Sequence, residues 1–155
     1  MNVRPATPAD LETIVRFNAA LARETEDVAL DEKRLRPGVR AVFDDPRRGR
    51  YFLLEDDGRP IAQLLVTFEW SDWRNGDFWW IQSVYVERAH RRRGAYRALH
   101  EHVVSAARVA GACGVRLYVE RANGAARAVY ERLGLAAAPY EMLETDFVIR
   151  RERHG

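Results

Sequence analysis

Apolar positions near the start of the chain recur in a helical rhythm. Leu11, Ile14, Val15, Asn18, Leu21 and Ala22 fall at three- and four-residue steps, which predicts a helix with one mostly apolar face. Its start is marked by Thr7 as N-cap, Pro8 in the first turn and Asp10 at the capping-box position. Asp31 is placed to cap a second helix carrying Leu35, Val39, Val42 and Phe43, and Pro37-Gly38 in its middle predicts a kink or two pieces. Before these, residues 2–4 offer room for a short first strand.

The pattern then shifts to strands. Residues 51–55 and 61–68 flank Asp56-Asp57-Gly58-Arg59, and an Asp-Gly pair suits a hairpin turn that needs positive φ. Residues 61–68 are apolar almost throughout, as in a strand covered on both faces. After a polar turn at 71–77, residues 78–86 are rich in aromatic and β-branched side chains, the strongest strand signal in the chain. A helical period returns with Ala95, Leu99, Val103, Ala107 and Ala110, which Gly111 can terminate. Residues 115–119 alternate as a strand, Asn123 precedes a short helix with Ala126, Val129, Tyr130 and Leu133 closed by Gly134, and 137–150 have room for one or two more strands. A hairpin followed by strand–helix–strand predicts an α/β fold: a single domain over 1–155, with a mixed, mostly antiparallel sheet and flanking helices.

Composition narrows the classes. The hydrophobic share of 47% and charged share of 31% belong to an ordinary globular protein. With 25 basic against 23 acidic side chains, no global charge draws the chain to nucleic acid. Lys33 is the only lysine, an arginine bias that fits a GC-rich bacterial genome. Cys113 is the only cysteine, which excludes an intrachain disulfide and multi-cysteine metal sites and fits a reducing compartment. No uncharged run approaches the ~20 residues of a membrane span, and the first ten residues lack the apolar core of a secretory signal, so a cytoplasmic location away from the membrane is expected.

Candidate chemistry gathers after residue 86. Arg88 and the run Arg91, Arg92, Arg93 lead through Gly94 into a helix opened by Ala95 and Tyr96. A helix N-terminus leaves about four N–H groups without intrahelical partners and carries roughly half a positive charge. Gly94 removes the Cβ that would keep a ligand from that backbone, and arginines add charge-assisted contacts. This describes an anion site fit for a pyrophosphate. By itself the run reads more readily as a solvated basic loop beside a helix; a nucleic-acid patch would need basic and aromatic residues spread over a face.

A wider pattern carries more. A strand ending Val84-Tyr85-Val86, the Arg91-x-x-Gly94 loop and helix, a strand at 115–119, and then Asn123-x-x-Ala126-x-x-x-Tyr130-Glu131-x-x-Gly134 resemble the acetyl-CoA-binding core of the GNAT-type N-acetyltransferase superfamily, over about residues 78–135. The resemblance implies a GNAT-like acyltransferase fold, acetyl-CoA as co-substrate and direct acetyl transfer to a primary amine, without a metal or an acyl-enzyme. The acceptor is expected to be a small molecule, with a protein amine as the alternative and a homodimer allowed for. It further implies that the strand carrying Val84, Tyr85 and Val86 splays from its neighbour, so that its backbone pairs with the pantetheine arm. The N–H near Val84 would polarise the thioester carbonyl. Backbone N–H groups of Arg92, Arg93, Gly94, Ala95 and Tyr96 would hold the pyrophosphate, with the Arg91, Arg92 and Arg93 side chains near phosphates. Asn123 would contact pantetheine, and Tyr130 would protonate the departing thiolate. A non-catalytic acyl-CoA-sensing module is the rival function.

Two departures stand out. Tyr96 occupies a position where the family usually has Gly or Ala, so either its ring turns away from the phosphates, toward the sheet, or the cofactor sits slightly differently. Where many relatives place a glutamate base, this chain has Trp80, Gln82 and Ser83. Glu69 is the candidate base instead, on the expectation that Phe68, Trp70 and Trp73 desolvate it and raise its pKa; the plain alternative is an exposed glutamate at a strand end. Glu24, Glu26 and Asp27 read either as an attractor for a cationic substrate or as a solvated acidic turn. His100 and His102, two apart on a helix, face different sides and do not suit a shared metal.

Overall fold

The first strand, β1 (Asn2–Pro5), pairs antiparallel with β2 (Arg50–Asp56), which turns directly into β3 (Arg59–Ser71). The hairpin is as the Asp-Gly pair predicts: Asp56 pairs with Arg59, and Asp57 and Gly58 between them have φ of 48° and 74°. β3 pairs antiparallel with β4 (Gly76–Val86), and β5 (Gly114–Leu117) pairs parallel with β4, giving the order β1-β2-β3-β4-β5. A mixed, mostly antiparallel sheet with helices is the class read from the sequence. The computed structural model describes residues 1–151. These fall into two compact units, Met1–Val119 and the residues from Glu120 onward.

In the first unit the sheet is covered on both faces. On one, α3 (Ala95–Val109) lays Ala95, Leu99, Val103 and Ala107 on Phe52, Leu54, Ala62, Leu64, Val66, Trp79 and Ile81. On the other, α1 (Leu11–Glu26) and α2 (Glu32–Asp44) pack Ile14, Val15 and Val39 on Tyr51 and Leu53. Each fully buried aliphatic side chain contributes ~1.5–3 kcal/mol, which anchors the sheet from both sides. Asp10 fastens the entry of α1: its carboxylate accepts from the Thr7 N–H at 2.8 Å and takes a two-pronged contact from Arg4 of β1. That guanidinium holds the Asp10 carboxyl below its ordinary range.

Three expectations are corrected. α2 runs unbroken through Pro37. Asp31 caps it by accepting from the Lys33 N–H, so Pro37 falls in the second turn, where its missing N–H costs a single bond to the Lys33 carbonyl. β5 ends at Leu117 rather than at residue 119, because β4 bulges at Ser83 and offers no rung beyond Ile81. In the second unit, α4 (Gly124–Arg132) forms as expected, but residues 137–150 make no strand. Asp146 accepts there from both the Val148 and Ile149 N–H groups at 2.9 and 2.8 Å, a local turn that takes up backbone donors a ladder would use.

Candidate active site

β4 behaves as two strands in one. From Phe78 to Ile81 it is flanked by β3 on one edge and by β5 on the other, with Phe78 opposite Gly114 and Ile81 opposite Leu117. The register with β3 then slips: Gln82 faces Leu65, while Tyr85 faces Gln63. The extra residue is accommodated at Ser83, whose φ is 50°. The slip also resets which side chains face α3. Trp79 and Ile81 point into that core before the bulge, and Val84 and Val86 join it afterwards. Tyr85 is thereby turned to the α1 face, where its ring lies 5.1 Å from Phe17.

Backbone accounting locates an open edge. The Glu87 N–H donates to the Ile61 carbonyl at 2.9 Å, so alternation puts the Tyr85 groups on the β3 side. Those of Val84 and Val86 face the opposite side, where β5 no longer runs alongside. Among the described residues the Val84 and Val86 N–H groups therefore stand on an edge without a paired strand, available to an added strand or an extended ligand. The Val86 carbonyl accepts from the Arg91 Nε at 2.9 Å.

The basic loop follows at once. Arg92 and Gly94 both adopt positive φ, 62° and 79°, and Gly94 is the N-cap of α3 with no side chain capping it. The first helical bond runs from the Ala98 N–H to the Gly94 carbonyl, and open space surrounds the position of a Gly94 Cβ. Arg92 and Arg93 are exposed. Arg91 is committed differently from the expectation that all three side chains face phosphate: its guanidinium also donates to the Glu24 carboxylate of α1 at 2.6 Å and lies over the Tyr85 ring. Glu24 takes a second contact from Arg88 at 3.1 Å. Arg91 first, then Arg88, holds the Glu24 carboxyl below its ordinary range. Glu24 is thus a brace for the loop, not a free attractor for substrate. Glu87 reinforces it, with Arg59 at 2.8 Å and Arg16 of α1 at 3.5 Å.

Tyr96 packs against the α3-side core, and its hydroxyl meets His100 Nδ1 at 3.0 Å, so the ring turns away from the loop's outer face. Burial pushes the His100 ring below its ordinary pKa, which keeps it neutral. His102 packs instead at the edge of Phe52.

The desolvation expected of Glu69 is not found, and the residue lies far along the strand from Val84. It lies opposite Phe78, six residues before Val84, a separation of ~20 Å along a strand. Its carboxylate accepts from Arg116 Nη1 at 2.8 Å, and half of its side chain is exposed to solvent. Trp70 and Trp73 are themselves exposed and do not dry it. The aromatic pair nearer the fork is Trp80 and Tyr118, with ring centroids 4.5 Å apart.

In the second unit, Asn123 caps α4: its side-chain oxygen accepts from the Ala126 backbone N–H at 3.1 Å, a local reason for asparagine at the head of this helix. Gly134, at φ 93°, closes the helix. Tyr130 lies in the last part of α4, and burial holds its hydroxyl above the ordinary pKa of 10, so it stays protonated at neutral pH.

The acetyltransferase (GNAT) family model matches residues 16–135. The chain belongs to this family. Acetyl transfer from acetyl-CoA is the family's chemistry, and the bulged strand and uncapped helix described above lie inside the matched span. Among solved structures, this GNAT protein is similar to one described as a possible acetyltransferase from Clostridium difficile 630, with 41% identity, a TM-score of 0.88, and 96% of this chain and 98% of that one covered. A predicted acetyltransferase from Clostridium acetobutylicum, crystallised with acetyl-CoA, shares the fold at 19% identity and a TM-score of 0.76, with 94% and 95% coverage. A ribosomal-protein-alanine N-acetyltransferase from Brucella melitensis shares it at 16% identity and a TM-score of 0.77, with 95% and 100% coverage. No curated protein matches. Among the described residues, no helix is long and apolar enough to cross a membrane.

Two features of the site were not foreseen from the sequence: the Ser83 bulge and the Glu24 brace. Ser83 left no local mark, since serine is ordinary in strands. Glu24 was visible as an acidic residue, but its cations lie 64 and 67 positions away.

Proposed function

We propose that this GNAT protein moves the acetyl group of acetyl-CoA directly onto a primary amine of a small molecule. One observation carries the reading: β4 parts from β5 at a bulge, leaving the Val84 and Val86 N–H groups on an open edge one short loop before an uncapped helix N-terminus at Gly94. The open edge suits the amide-bearing pantetheine arm, which would pair with it as an added strand. The N–H groups from Arg92 to Tyr96 suit the pyrophosphate, with Arg92 and Arg93 adding charge and Arg91 holding the loop in shape. Val84 N–H would bond the thioester oxygen more strongly as negative charge develops there. Tyr130, kept protonated by burial, would deliver a proton to the departing thiolate. Asn123 would contact the pantetheine region. The Trp80–Tyr118 ring pair beside the last rung of the β4–β5 pairing suits an acceptor with apolar surface.

The amine must lose its proton. With a pKa near ~10.4, about one molecule in ~2,500 is neutral at pH 7, a handicap of ~4.6 kcal/mol that a base, a water relay or desolvation has to offset. The exposed, Arg116-paired Glu69 gives no support to that role, and a site without an assigned base favours, as the second reading, an acyl-CoA-binding module without turnover. One pair of measurements separates them. Acetyl-CoA should raise the melting temperature, because a ligand that binds only the native state stabilises it. Free thiol should then appear with at least one member of an amine panel. Stabilisation with a flat panel selects the binding module, and no stabilisation removes both readings.

A further inference from the structure

Ser83 opens the edge of β4 in a conformation that non-glycine residues avoid, and such a backbone persists only where its surroundings hold it. The holding group is a side chain of the neighbouring strand. Gln63 Nε2 donates to the Ser83 carbonyl at 3.0 Å and to Asn18 Oδ1 of α1 at 3.2 Å. Asn18 Nδ2 in turn donates to the Tyr51 hydroxyl of β2 at 3.3 Å. Gln63 has no exposed surface, and Asn18 and Tyr51 retain only 7% and 6%. The direction of the chain is fixed at one end, because a carbonyl only accepts. The Gln63 nitrogen must face Ser83, so Asn18 must offer Gln63 its oxygen and Tyr51 its nitrogen.

This arrangement is costly for a core. Three polar side chains sit among apolar neighbours, and Gln63 Oε1 has no hydrogen-bond partner among the described residues. An aliphatic residue at 63 would suit the otherwise apolar run of β3 better. What the network does instead is grip one peptide plane. The Ser83 C=O and the Val84 N–H belong to the same planar trans unit and point in opposite directions. A bond that fixes the carbonyl toward β3 therefore aims the Val84 N–H at the open edge.

We propose that Gln63, oriented by Asn18 and Tyr51, is a positioning residue for acetyl transfer, holding the Ser83–Val84 peptide so that its N–H meets the thioester oxygen. The inference rests on the acetyl-CoA reading above. Its test compares acetyl-CoA with CoA, since CoA lacks the carbonyl that the Val84 N–H would touch. By calorimetry, the wild-type protein should bind acetyl-CoA about 2- to 10-fold more tightly than CoA, the worth of one hydrogen bond. Gln63→Met keeps the length and removes the donor. It should bring that ratio to about 1 while CoA affinity stays within about twofold.

A folded Gln63→Met with the wild-type ratio would overturn the proposal, as would a wild-type protein that binds both ligands equally, which leaves CoA binding intact. Binding of neither ligand would remove the acetyl-CoA reading itself and the positioning role with it. Should Gln63→Met not fold, Asn18→Leu carries the test from the other end of the network. There the ratio should fall part of the way, and an unchanged ratio overturns the proposal. A purely structural network would lower the melting temperature of these variants and leave the ratio alone.

Discussion

The two ends of β4 have the same neighbours in sequence order and opposite solutions to the same problem. At the Phe78 end every edge is taken: β3 and β5 pair on either side, and the Arg116 guanidinium lies 3.5 Å over the Phe78 ring while binding Glu69. At the Val84 end a single inserted residue breaks the pairing with β5, and the freed N–H groups lead straight into a basic loop. Ionisable and aromatic residues are as plentiful at the closed end as at the open one. What separates them is unpaired backbone. Among the described residues, the Phe78 end of β4 is paired on both edges, while the Val84 end turns backbone donors toward an edge that β5 no longer covers.

Substitutions at the open end should therefore strike ligand binding and turnover. Gly94→Val is expected to have the largest effect. A φ of 79° is barred to a β-branched residue, and relaxation would swing the first-turn N–H groups out of line although nothing crowds the new side chain. Losing one or two charge-assisted bonds should weaken acetyl-CoA binding about 100- to 1,000-fold, read by calorimetry, with the fold retained by circular dichroism. Affinity within a few-fold of wild type would deny the loop its role. In the second unit, the proposed acid gives its own prediction: Tyr130→Phe should lower turnover about 100-fold at the low end of acid catalysis, with acetyl-CoA affinity unchanged. Its proton is needed for the reaction, and burial raises the pKa, so any alkaline loss of activity due to Tyr130 falls above pH 10 and should vanish in the variant. Equal turnover in the two proteins would exclude it as the acid.

Most of this architecture was legible because it is written locally. Asp57-Gly58 specified a hairpin, the apolar step of α3 specified its buried face, and Gly94 and Gly134 fell where positive φ was needed. The open end was inferred from a resemblance rather than from residues, since Ser83 carries no signal of a bulge. One clue did lie in plain view: Gln63 interrupts an apolar run, and a buried polar residue asks for partners. Those partners, Asn18 and the Ser83 carbonyl, are 45 and 20 positions away, beyond any local pattern. Glu69 misled for the complementary reason. Its aromatic neighbours in sequence suggested dryness, but successive side chains on a strand point to opposite faces: Phe68 packs on the core, while Trp70 and Trp73 project into solvent.

The closed end should answer to stability instead. A Cβ on Gly114 would stand 2.6 Å from the Phe78 ring, closer than real contacts allow. Gly114→Ala should thus cost ~1–3 kcal/mol through overpacking, a fall of roughly 2–12 °C in melting temperature. Acetyl-CoA affinity should stay within about twofold of wild type. A large loss of affinity with little loss of stability would mean that the two ends are coupled and that the contrast between them is false.

The smallest effect is expected at Glu69, and it is the most exacting test of the contrast. Glu69→Gln removes a carboxylate whose partner, Arg116, keeps its place over the Phe78 ring, and the pair is half exposed. Exposed ion pairs contribute ~0–1 kcal/mol, so the melting temperature should move by no more than a few degrees. Glu69 sits beside Phe78, a strand separation of ~20 Å from the Val84 N–H, too far for a direct hydrogen bond to an amine held there. The pH–rate profile of Glu69→Gln should therefore superimpose on that of the wild-type protein, with the same acid limb and the same plateau. If the acid limb flattened instead, the acceptor amine would have to lie near the Phe78 end of β4. Chemistry would then occur where the backbone is fully paired, and unpaired backbone would no longer be the guide to the active site in this fold.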